Sequence, residues 1–292
     1  MIKRFKSIDG FFNNKLKYQN FKENTKLNKK KISLLGSGNS ISGLPFEKKS
    51  ILLNINLKDR IIIDKKKLEL TANGNIEIYK IHNNLLKNSL YFTGFPSYPS
   101  VRLGACVANS VHGLNPKSGC LSNFVKKIKI YNPNFGYKVL TPKKNANLFH
   151  LTIGGMGLTG IIIEVTIKVF KLKSTYIKTK PIKVKSILEG YKYLKKTKNL
   201  YNQNNFFIDA KKENFSEGII ITGNFFGKVI LKRNLKKINI KSIRLGVLDF
   251  YICRKLLEKI LIFFQSKIKN KIIHLNEALF PSNNRLIYFN LL

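Results

Sequence analysis

The chain has 292 residues, 43% of them hydrophobic, which is enough for two domains of ordinary size and a sizeable core. Its formal net charge is +39, and all but seven of its 54 basic residues are lysines spread along the whole chain. A nucleic-acid-binding protein typically clusters basic residues on one face with aromatic residues between them, so this distribution argues against nucleic acid as the main partner. The charge still attracts anionic ligands and acidic membrane surfaces.

The cysteines and the N-terminus give further limits. Cys106, Cys120 and Cys253 form no CxxC pair, so neither a zinc site nor a disulfide framework is indicated, and a reducing compartment fits best. The basic N-terminus is not followed by an apolar segment of the secretory type, and no run approaches the ~18 apolar residues of a membrane span. We therefore expect a cytoplasmic protein. Its positive charge is also compatible with peripheral attachment at the inner membrane face.

The pattern of apolar residues predicts the elements in chain order. Residues 1–32 are polar and rich in lysine. The next part has predicted strands at 32–35, 50–56, 60–64 and 67–72, a helix at 76–86, and strands at 127–131, 137–140 and 161–169. The last part has a predicted strand at 179–184, a helix at 186–196, strands at 205–209 and 218–223, and a long helix at 245–268. This mixture favours an α+β protein of two parts, with the boundary near residues 170–178.

Glycine is concentrated in three segments. The first glycine segment is GSGNSISG at 36–43, the second is RLGACVANSVHG at 102–113, and the third is TIGGMGLTGII at 152–162. Glycine allows a positive φ and lets backbone lie directly against a ligand. The three segments together therefore indicate one extended, phosphate-bearing ligand contacted at three places. The first segment alone is equally compatible with an ordinary turn between strands, because it lacks the register of a dinucleotide fingerprint.

His112 is the candidate catalytic side chain of the second segment. It has the chemistry to hydrogen-bond a ligand or transfer a proton, and a purely structural histidine is the alternative. No second histidine, cysteine or carboxylate stands at ligand spacing, so no metal site is predicted.

Together the three segments resemble the flavoenzymes with a vanillyl-alcohol-oxidase-type (PCMH-type) FAD-binding domain. Within these, the chain is most similar to the decaprenylphosphoryl-ribose oxidases and their sugar- and lactone-oxidase relatives. The run GMGLTGII at 155–162 is the most specific match. The segments FID at 207–209 and LFPSNNRL at 279–286 extend the likeness, so that it covers the chain from about residue 30 to about residue 290.

The resemblance implies a fold, a cofactor and a reaction. The fold is α+β, with a PCMH-type FAD-binding domain of two small α/β subdomains at 1–172 and an incomplete antiparallel-sheet substrate domain at 173–292. The reaction is oxidation of a secondary alcohol of a sugar, a sugar lactone or a polyprenyl-phosphate sugar, by hydride transfer to flavin N5. The implied partners are a small sugar-type substrate and, for a lipid-linked substrate, an anionic membrane surface.

The resemblance also implies the cofactor contacts. From the first segment they are Gly36, Ser37, Gly38, Asn39, Ser40 and Ile41; from the second and the stretch before it, Pro96, Ser97, Tyr98, Val101, Gly104, Ala105, Asn109, His112 and Gly113; from the third, Gly157, Gly160 and Ile162. Some relatives attach FAD through a histidine of the first segment. Residues 38–40 contain none, so non-covalent FAD is expected.

Several positions depart from the family pattern. Ala105 replaces a glycine, Ser110 an aspartate, and residues 116–117 a pair of histidines. The chain also ends at Leu292, whereas the resemblance implies a longer substrate domain followed by the last part of the FAD-binding domain. Two alternatives therefore stand beside an active oxidase. One is an inactive truncated relic, or one half of a split gene that needs a second chain. The other is a basic protein that binds nucleic acid or a membrane surface without flavin.

Overall fold

Three β-sheets of four or five strands, with helices packed on them, organise the described part of the chain. The computed structural model describes residues 1–6, 13–23, 25, 27, 31–38, 45–47, 49–208, 218–230, 234–236, 241–243, 270–280 and 287–289. Within these residues the architecture is mixed α/β, and two of the three sheets are antiparallel.

The first sheet contains both parallel and antiparallel pairs. Its strands are β1 (Ile2–Lys6), β2 (Asn13–Phe21), β3 (Ile32–Leu35) and β4 (Ile51–Ile55), in the order β1-β2-β4-β3. The strand β4 runs parallel to both β2 and β3, and β1 is antiparallel to β2. Because β3 and β4 are parallel neighbours, the first glycine segment leaves the sheet at the edge where both strands end.

The second sheet is antiparallel and five-stranded. Its strands are β5 (Ile61–Asp64), β6 (Glu69–Asn73), β8 (Val125–Asn132), β9 (Gly136–Leu140) and β10 (Ile161–Lys168), in the order β5-β6-β10-β8-β9. Around it lie α1 (Ile78–Lys87), α2 (Leu103–Ala108), a 3₁₀ turn (Leu121–Phe124), α3 (Ala146–Thr152) and the two-stranded pair β7 (Leu90–Tyr91) and β11 (Phe170–Lys171). The buried run of β10 places this strand at the centre of the sheet, covered on both faces.

The third sheet is also antiparallel. Its strands are β12 (Tyr176–Val184), β13 (Gln203–Ile208), β14 (Gly218–Phe225) and β16 (Lys271–His274), in the order β13-β14-β12-β16. The helices α4 (Ile187–Thr197) and α5 (Leu275–Leu279) follow β12 and β16, and β15 (Lys241–Ile243) pairs in parallel with β17 (Ile287–Phe289).

One large apolar cluster connects the second sheet to the third. It includes Leu70, Ile128 and Val165 of the second sheet, Ile81 of α1, and Phe280 at the end of α5, all fully buried. Smaller clusters lie under the first sheet, around Phe21 and Leu52. Burial of this apolar surface is the main force that joins helices and sheets here.

The predicted elements agree with the structure over most of the described chain. The strand at 32–35, the hairpin of 127–131 and 137–140, and the helices at 76–86 and 186–196 are found with shifts of a few residues. The helix predicted at 245–268 lies outside the described residues. The strands β1 and β2 and the helix α2 were not predicted. Within the described part of the chain, no helix combines the length and apolar character needed to cross a membrane.

Candidate functional site

The structure brings the three glycine segments together. A Cβ built on Gly36 would lie 3.3 Å from the Cβ of Ala105, which joins the first segment to the second. A Cβ on Gly157 would lie 2.8 Å from Cδ1 of Leu34, at the end of β3. The backbone N–H of Gly154 donates to the carbonyl oxygen of Val107 at 3.0 Å, joining the second segment to the third. The segments thus form one continuous surface.

The second segment forms the short helix α2 instead of a loop. Its helix packs against β6 and β10, and this contact outweighs the low helix propensity of glycine and valine. Gly104 packs closely there, because its N–H donates to the carbonyl oxygen of Gly74 at 2.8 Å and a Cβ would stand only 3.1 Å from the same oxygen. Ala105 is half-buried beside the first segment, and the exposed Asn109 ends the helix with its side chain donating to the carbonyl oxygen of Ala105 at 2.8 Å.

His112 and Gly113 follow α2 in an extended stretch. His112 pairs with Cys120 in an antiparallel β-bridge, and its exposed side chain has Nδ1 3.0 Å from the carbonyl oxygen of Gly113. A Cβ on Gly113 would overlap the carbonyl oxygen of Thr93. The glycine is therefore fixed by packing, whereas the imidazole is held at the surface by its neighbour.

A cleft of about 370 Å³ opens between the third glycine segment and the first two sheets. The residues that line it are Leu27, Ile32, Leu34, Tyr131, Asn132, Pro133, Asn134, Gly157, Leu158, Gly160 and Ile161. Gly157 and Gly160, two of the predicted cofactor contacts, therefore line this cleft. Ile162 instead belongs to the large buried cluster, and its neighbour Ile161 provides the apolar wall, because successive side chains of a strand point to opposite faces.

The first segment presents a polar atom that the described protein does not satisfy. The Oγ of Ser37 is buried and has no hydrogen-bond partner among the described residues, and Gly38 has a φ of +76°. A buried hydroxyl without a partner is costly and points to a ligand or a bound water. This arrangement fits a phosphate group. Asn39, Ser40 and Ile41 lie outside the described residues.

The stretch before α2 supports the site from one side. Pro96, Ser97, Tyr98 and Val101 are half-buried, and the N–H of Ile78 in α1 donates to the carbonyl oxygen of Val101 at 2.9 Å. The beginning of α1 therefore fixes the backbone from which these side chains project.

Arg102 is a residue of this region that the sequence reasoning missed. Its Nη1 donates to Oδ1 of Asn54 at 2.8 Å, to the carbonyl oxygen of Ile55 at 3.3 Å, and to that of Leu35 at 3.5 Å. Burial lowers the pKa of the Arg102 guanidinium, and attraction to Glu77 partly offsets this. The side chain thus ties the ends of β3 and β4 to the start of α2. The available signal was an arginine at the first position of a glycine segment, in a chain whose basic residues are mostly lysines.

In the ranges that the structure describes, no three histidine, cysteine, aspartate or glutamate residues come together as a metal site would require. The chemistry of the surface is that of backbone amides, small side chains, a serine hydroxyl and one imidazole.

Curated proteins with similar sequences are oxidoreductases of sugars and sugar lactones. The mitochondrial L-galactono-1,4-lactone dehydrogenase 2 of Oryza sativa subsp. japonica is 27% identical over 141 residues, which cover 48% of this chain and 24% of the relative. D-arabinono-1,4-lactone oxidase of Candida glabrata is 26% identical over 174 residues, or 57% of this chain and 32% of the relative. Decaprenylphosphoryl-beta-D-ribose oxidase of Mycolicibacterium smegmatis is 28% identical over 116 residues, or 39% of this chain and 25% of the relative.

These similarities confirm the resemblance predicted from the glycine segments. The chain is similar to dehydrogenases and oxidases, which agrees with the predicted enzyme class. The matched stretch spans about a quarter to a third of the length of these relatives. No protein-family model matches the chain.

Proposed function

We propose that this chain binds FAD non-covalently along the surface formed by the three glycine segments. We propose further that it functions as an oxidoreductase acting on a secondary alcohol of a sugar, a sugar lactone or a polyprenyl-phosphate sugar. The observation that carries the proposal is the convergence of the three segments beside a cleft, with a buried Ser37 hydroxyl that has no hydrogen-bond partner among the described residues. The similarity to lactone dehydrogenases and oxidases supports the reaction class.

Each part of the surface suits a different part of the dinucleotide. The backbone of the first segment and the Ser37 hydroxyl would hold the diphosphate, as backbone nests do. The cleft would hold the adenosine end between Tyr131 and Ile161, and its volume of about 370 Å³ lies within the usual range for small-molecule pockets. The half-buried residues Pro96, Ser97, Tyr98 and Val101, together with α2, would face the redox end.

His112 is the residue of this surface that can move a proton. When bound, FAD supplies the acceptor for the hydride that leaves the carbinol carbon of the substrate. The imidazole tautomer with its proton on Nδ1 donates to the carbonyl oxygen of Gly113, which leaves Nε2 as an acceptor. Nε2 then takes the hydroxyl proton of the substrate, and the carbon that has lost its hydride becomes a carbonyl.

The proposal also gives the parts of the chain their roles. Residues 1–172, with the first two sheets, form the FAD-binding domain with its two small subdomains. Residues 173–292, with the third sheet, form the substrate domain. The third sheet supports this assignment because the N–H of Asn204 in β13 donates to the carbonyl oxygen of Leu114 at 3.0 Å, two residues beyond His112.

Titration of the purified chain with FAD tests the binding proposal. We expect saturable quenching of flavin fluorescence and complete release of the flavin on denaturation, with FMN and riboflavin binding more weakly because they lack adenosine. Leu158 lines the cleft and is 90% exposed, so Leu158→Glu should fold and weaken FAD binding at least tenfold by placing a carboxylate in the cleft.

A matched control separates this effect from surface charge. Leu151 is 64% exposed and does not line the cleft, so Leu151→Glu should leave FAD affinity unchanged. A protein that is colourless once excess FAD has been removed would favour a basic binding protein without flavin. Equal effects of the two substitutions would contradict the proposed site.

Substitution of His112 tests the proposed chemistry. We expect His112→Gln to slow anaerobic flavin reduction by sugar alcohols and lactones about a hundredfold, the usual contribution of a general base. FAD affinity should change far less than the rate, because the proposed role concerns the substrate proton and His112 is only one of many implied cofactor contacts. Rapid-mixing absorbance measures the reduction, and unchanged rates in the variant would remove His112 from the mechanism.

A further inference from the structure

The helix α4 contacts the protein through a narrow face. Ser186 caps its N-terminus by accepting from the N–H of Glu189 at 3.1 Å. Gly190 and Thr197 are its buried residues, and a Cβ on Gly190 would overlap the ring of Phe206 in β13. The helix therefore lies close to the third sheet along this side, and the opposite side is turned outward.

The outward side of α4 carries large apolar side chains. Ile187 is 45% exposed, Leu188 58% and Tyr191 59%, and Leu200, just after the helix, is 61% exposed. The spacing of apolar residues predicts an amphipathic helix both at 76–86 and at 186–196. The apolar residues of α1 are buried in the structure, whereas those on the outward side of α4 are exposed. Exposed apolar side chains grouped in this way mark interaction surfaces more often than scattered single ones do.

The same region is strongly cationic. Residues 173–208 contain nine lysines and a single acidic residue, Glu189. The Glu189 carboxylate accepts from the backbone N–H of Lys185 at 2.7 Å. Lys192, Lys195 and Lys196 are exposed, and within the described residues none of them forms a salt bridge.

We propose that this surface, made of Ile187, Leu188, Tyr191, Lys192 and Lys195 and called here the α4 outer face, docks on an anionic lipid bilayer. A bilayer satisfies both of its features, because the apolar side chains enter the acyl boundary while the lysines reach the charged headgroups. Nucleic acid would bind the lysines alone and would leave Ile187 and Leu188 exposed to water. The inference is independent of the proposed FAD site, which other elements form.

The size of the expected effect follows from the charge. A lysine near an anionic membrane surface contributes about 1 kcal/mol, so removal of two lysines should weaken vesicle binding about thirtyfold. The apolar part adds a contribution that salt does not screen, whereas a purely electrostatic attraction disappears at high ionic strength. Lysine and apolar substitutions must therefore both reduce binding.

Vesicle co-sedimentation tests the proposal with the full chain. We expect binding to vesicles of phosphatidylcholine and phosphatidylglycerol at roughly two-to-one, and little binding to phosphatidylcholine alone. Lys192→Gln with Lys195→Gln, and separately Leu188→Ser with Tyr191→Ser, should each weaken binding at least tenfold. The matched controls are Lys143→Gln with Lys144→Gln, an exposed pair elsewhere, and Ile62→Ser, 45% exposed on β5; both should bind like the original chain.

Fluorescence locates the contact directly, because the chain contains no tryptophan. The variant Tyr191→Trp should show a blue-shifted emission with anionic vesicles and quenching by brominated lipids, whereas Ile62→Trp should show neither. The proposal is overturned if the indole introduced by Tyr191→Trp stays in water while the protein binds, or if the control variants weaken binding as much as the α4 variants. It is also overturned if analytical ultracentrifugation shows that the α4 outer face joins two copies of the chain.

Discussion

Arg102 shows how a single side chain can set the geometry of the candidate site. Its guanidinium reaches the ends of both β3 and β4 and stands at the first residue before α2. Burial disfavours its charge, and the electrostatic attraction of Glu77 favours it. Hydrogen bonds of a buried charge to backbone oxygens are individually strong, so this residue links the first two glycine segments.

Replacement of Arg102 should therefore loosen both the fold and the site. We expect Arg102→Met to lower the free energy of unfolding by about 2–3 kcal/mol, since it leaves buried acceptors unpaired, and to weaken FAD binding more than tenfold. Arg60→Met is the control, because Arg60 makes a surface salt bridge with Glu164 at 3.3 Å and its side chain is 62% exposed. Arg60→Met should lower the free energy of unfolding by no more than about 1 kcal/mol. Denaturant unfolding and FAD titration measure both quantities, and equal effects of the two substitutions would rule out the linking role.

The sequence predicts the positions of the site residues better than their orientations. The glycine pattern identified Gly157 and Gly160, which line the cleft. It could not distinguish Ile161 from Ile162, because the register of β10 against β8 decides which side chain faces the cleft. Nor could it show that Gly104 packs closely against the carbonyl oxygen of Gly74, a contact between residues 30 positions apart in the chain.

Elements with a clear apolar pattern were predictable, and elements stabilised by neighbours were not. The strand β10 consists of β-branched residues apart from Glu164 and Lys168, a composition that predicts a strand from the sequence alone. The strand β2 has the sequence NNKLKYQNF with two buried residues, and it exists because it pairs with β4. The helix α2 likewise depends on its contacts with β6 and β10. Intrinsic propensity is a weak guide wherever tertiary contacts provide most of the stability.

The contact between α1 and α5 depends on one buried histidine. His82 of α1 is fully buried, its Nε2 lies 2.9 Å from Oδ1 of Asn276, and its ring packs edge-on to Phe280. Burial lowers the pKa of His82 to about 4, the hydrogen bond from the imidazole to Asn276 raises it, and His274 adds to the lowering. The neutral imidazole is thus the form that the fold requires.

Acidification should weaken this contact over a defined range. The pKa of His82 is below its ordinary value of 6.5, so the unfolded chain binds the proton more readily and stability falls as the pH drops from about 6.5 to about 4. Because His82 is fully buried, we expect the free energy of unfolding to fall by roughly 3 kcal/mol over this range. His82→Gln can still donate to Asn276 but does not titrate, so its unfolding free energy should depend less on pH. Parallel pH profiles of the two proteins would contradict this account.

At the scale of the whole molecule, charge dominates the behaviour. The net charge of +39 produces a positive potential that attracts anions over several ångströms beyond the surface. Lysine is spread through all three sheets, so this potential is general and does not locate the site. It should nevertheless strengthen the binding of any ligand that carries phosphate.

Ionic strength should therefore separate the general attraction from the specific contacts. From about 0.1 M to about 1 M salt the screening length falls from about 10 Å to about 3 Å, and we expect FAD affinity to fall roughly fivefold or more. Riboflavin has no phosphate, so its weaker binding should hardly change over the same range. Fluorescence titration measures both ligands, and an equal response of the two to salt would show that the FAD diphosphate does not experience the field.

The packing of Gly113 changes how sequences related to this one should be interpreted. A Cβ there would overlap the carbonyl oxygen of Thr93, so selection for folding alone keeps glycine at this position. In a lineage that had lost catalysis but kept the fold, Gly113 would persist while the neighbouring His112, exposed at the surface, would drift. In this dipeptide, folding constrains position 113, whereas only the reaction would constrain position 112. Variation at His112 beside an unchanged Gly113 would distinguish a decaying enzyme from one still under selection for its reaction.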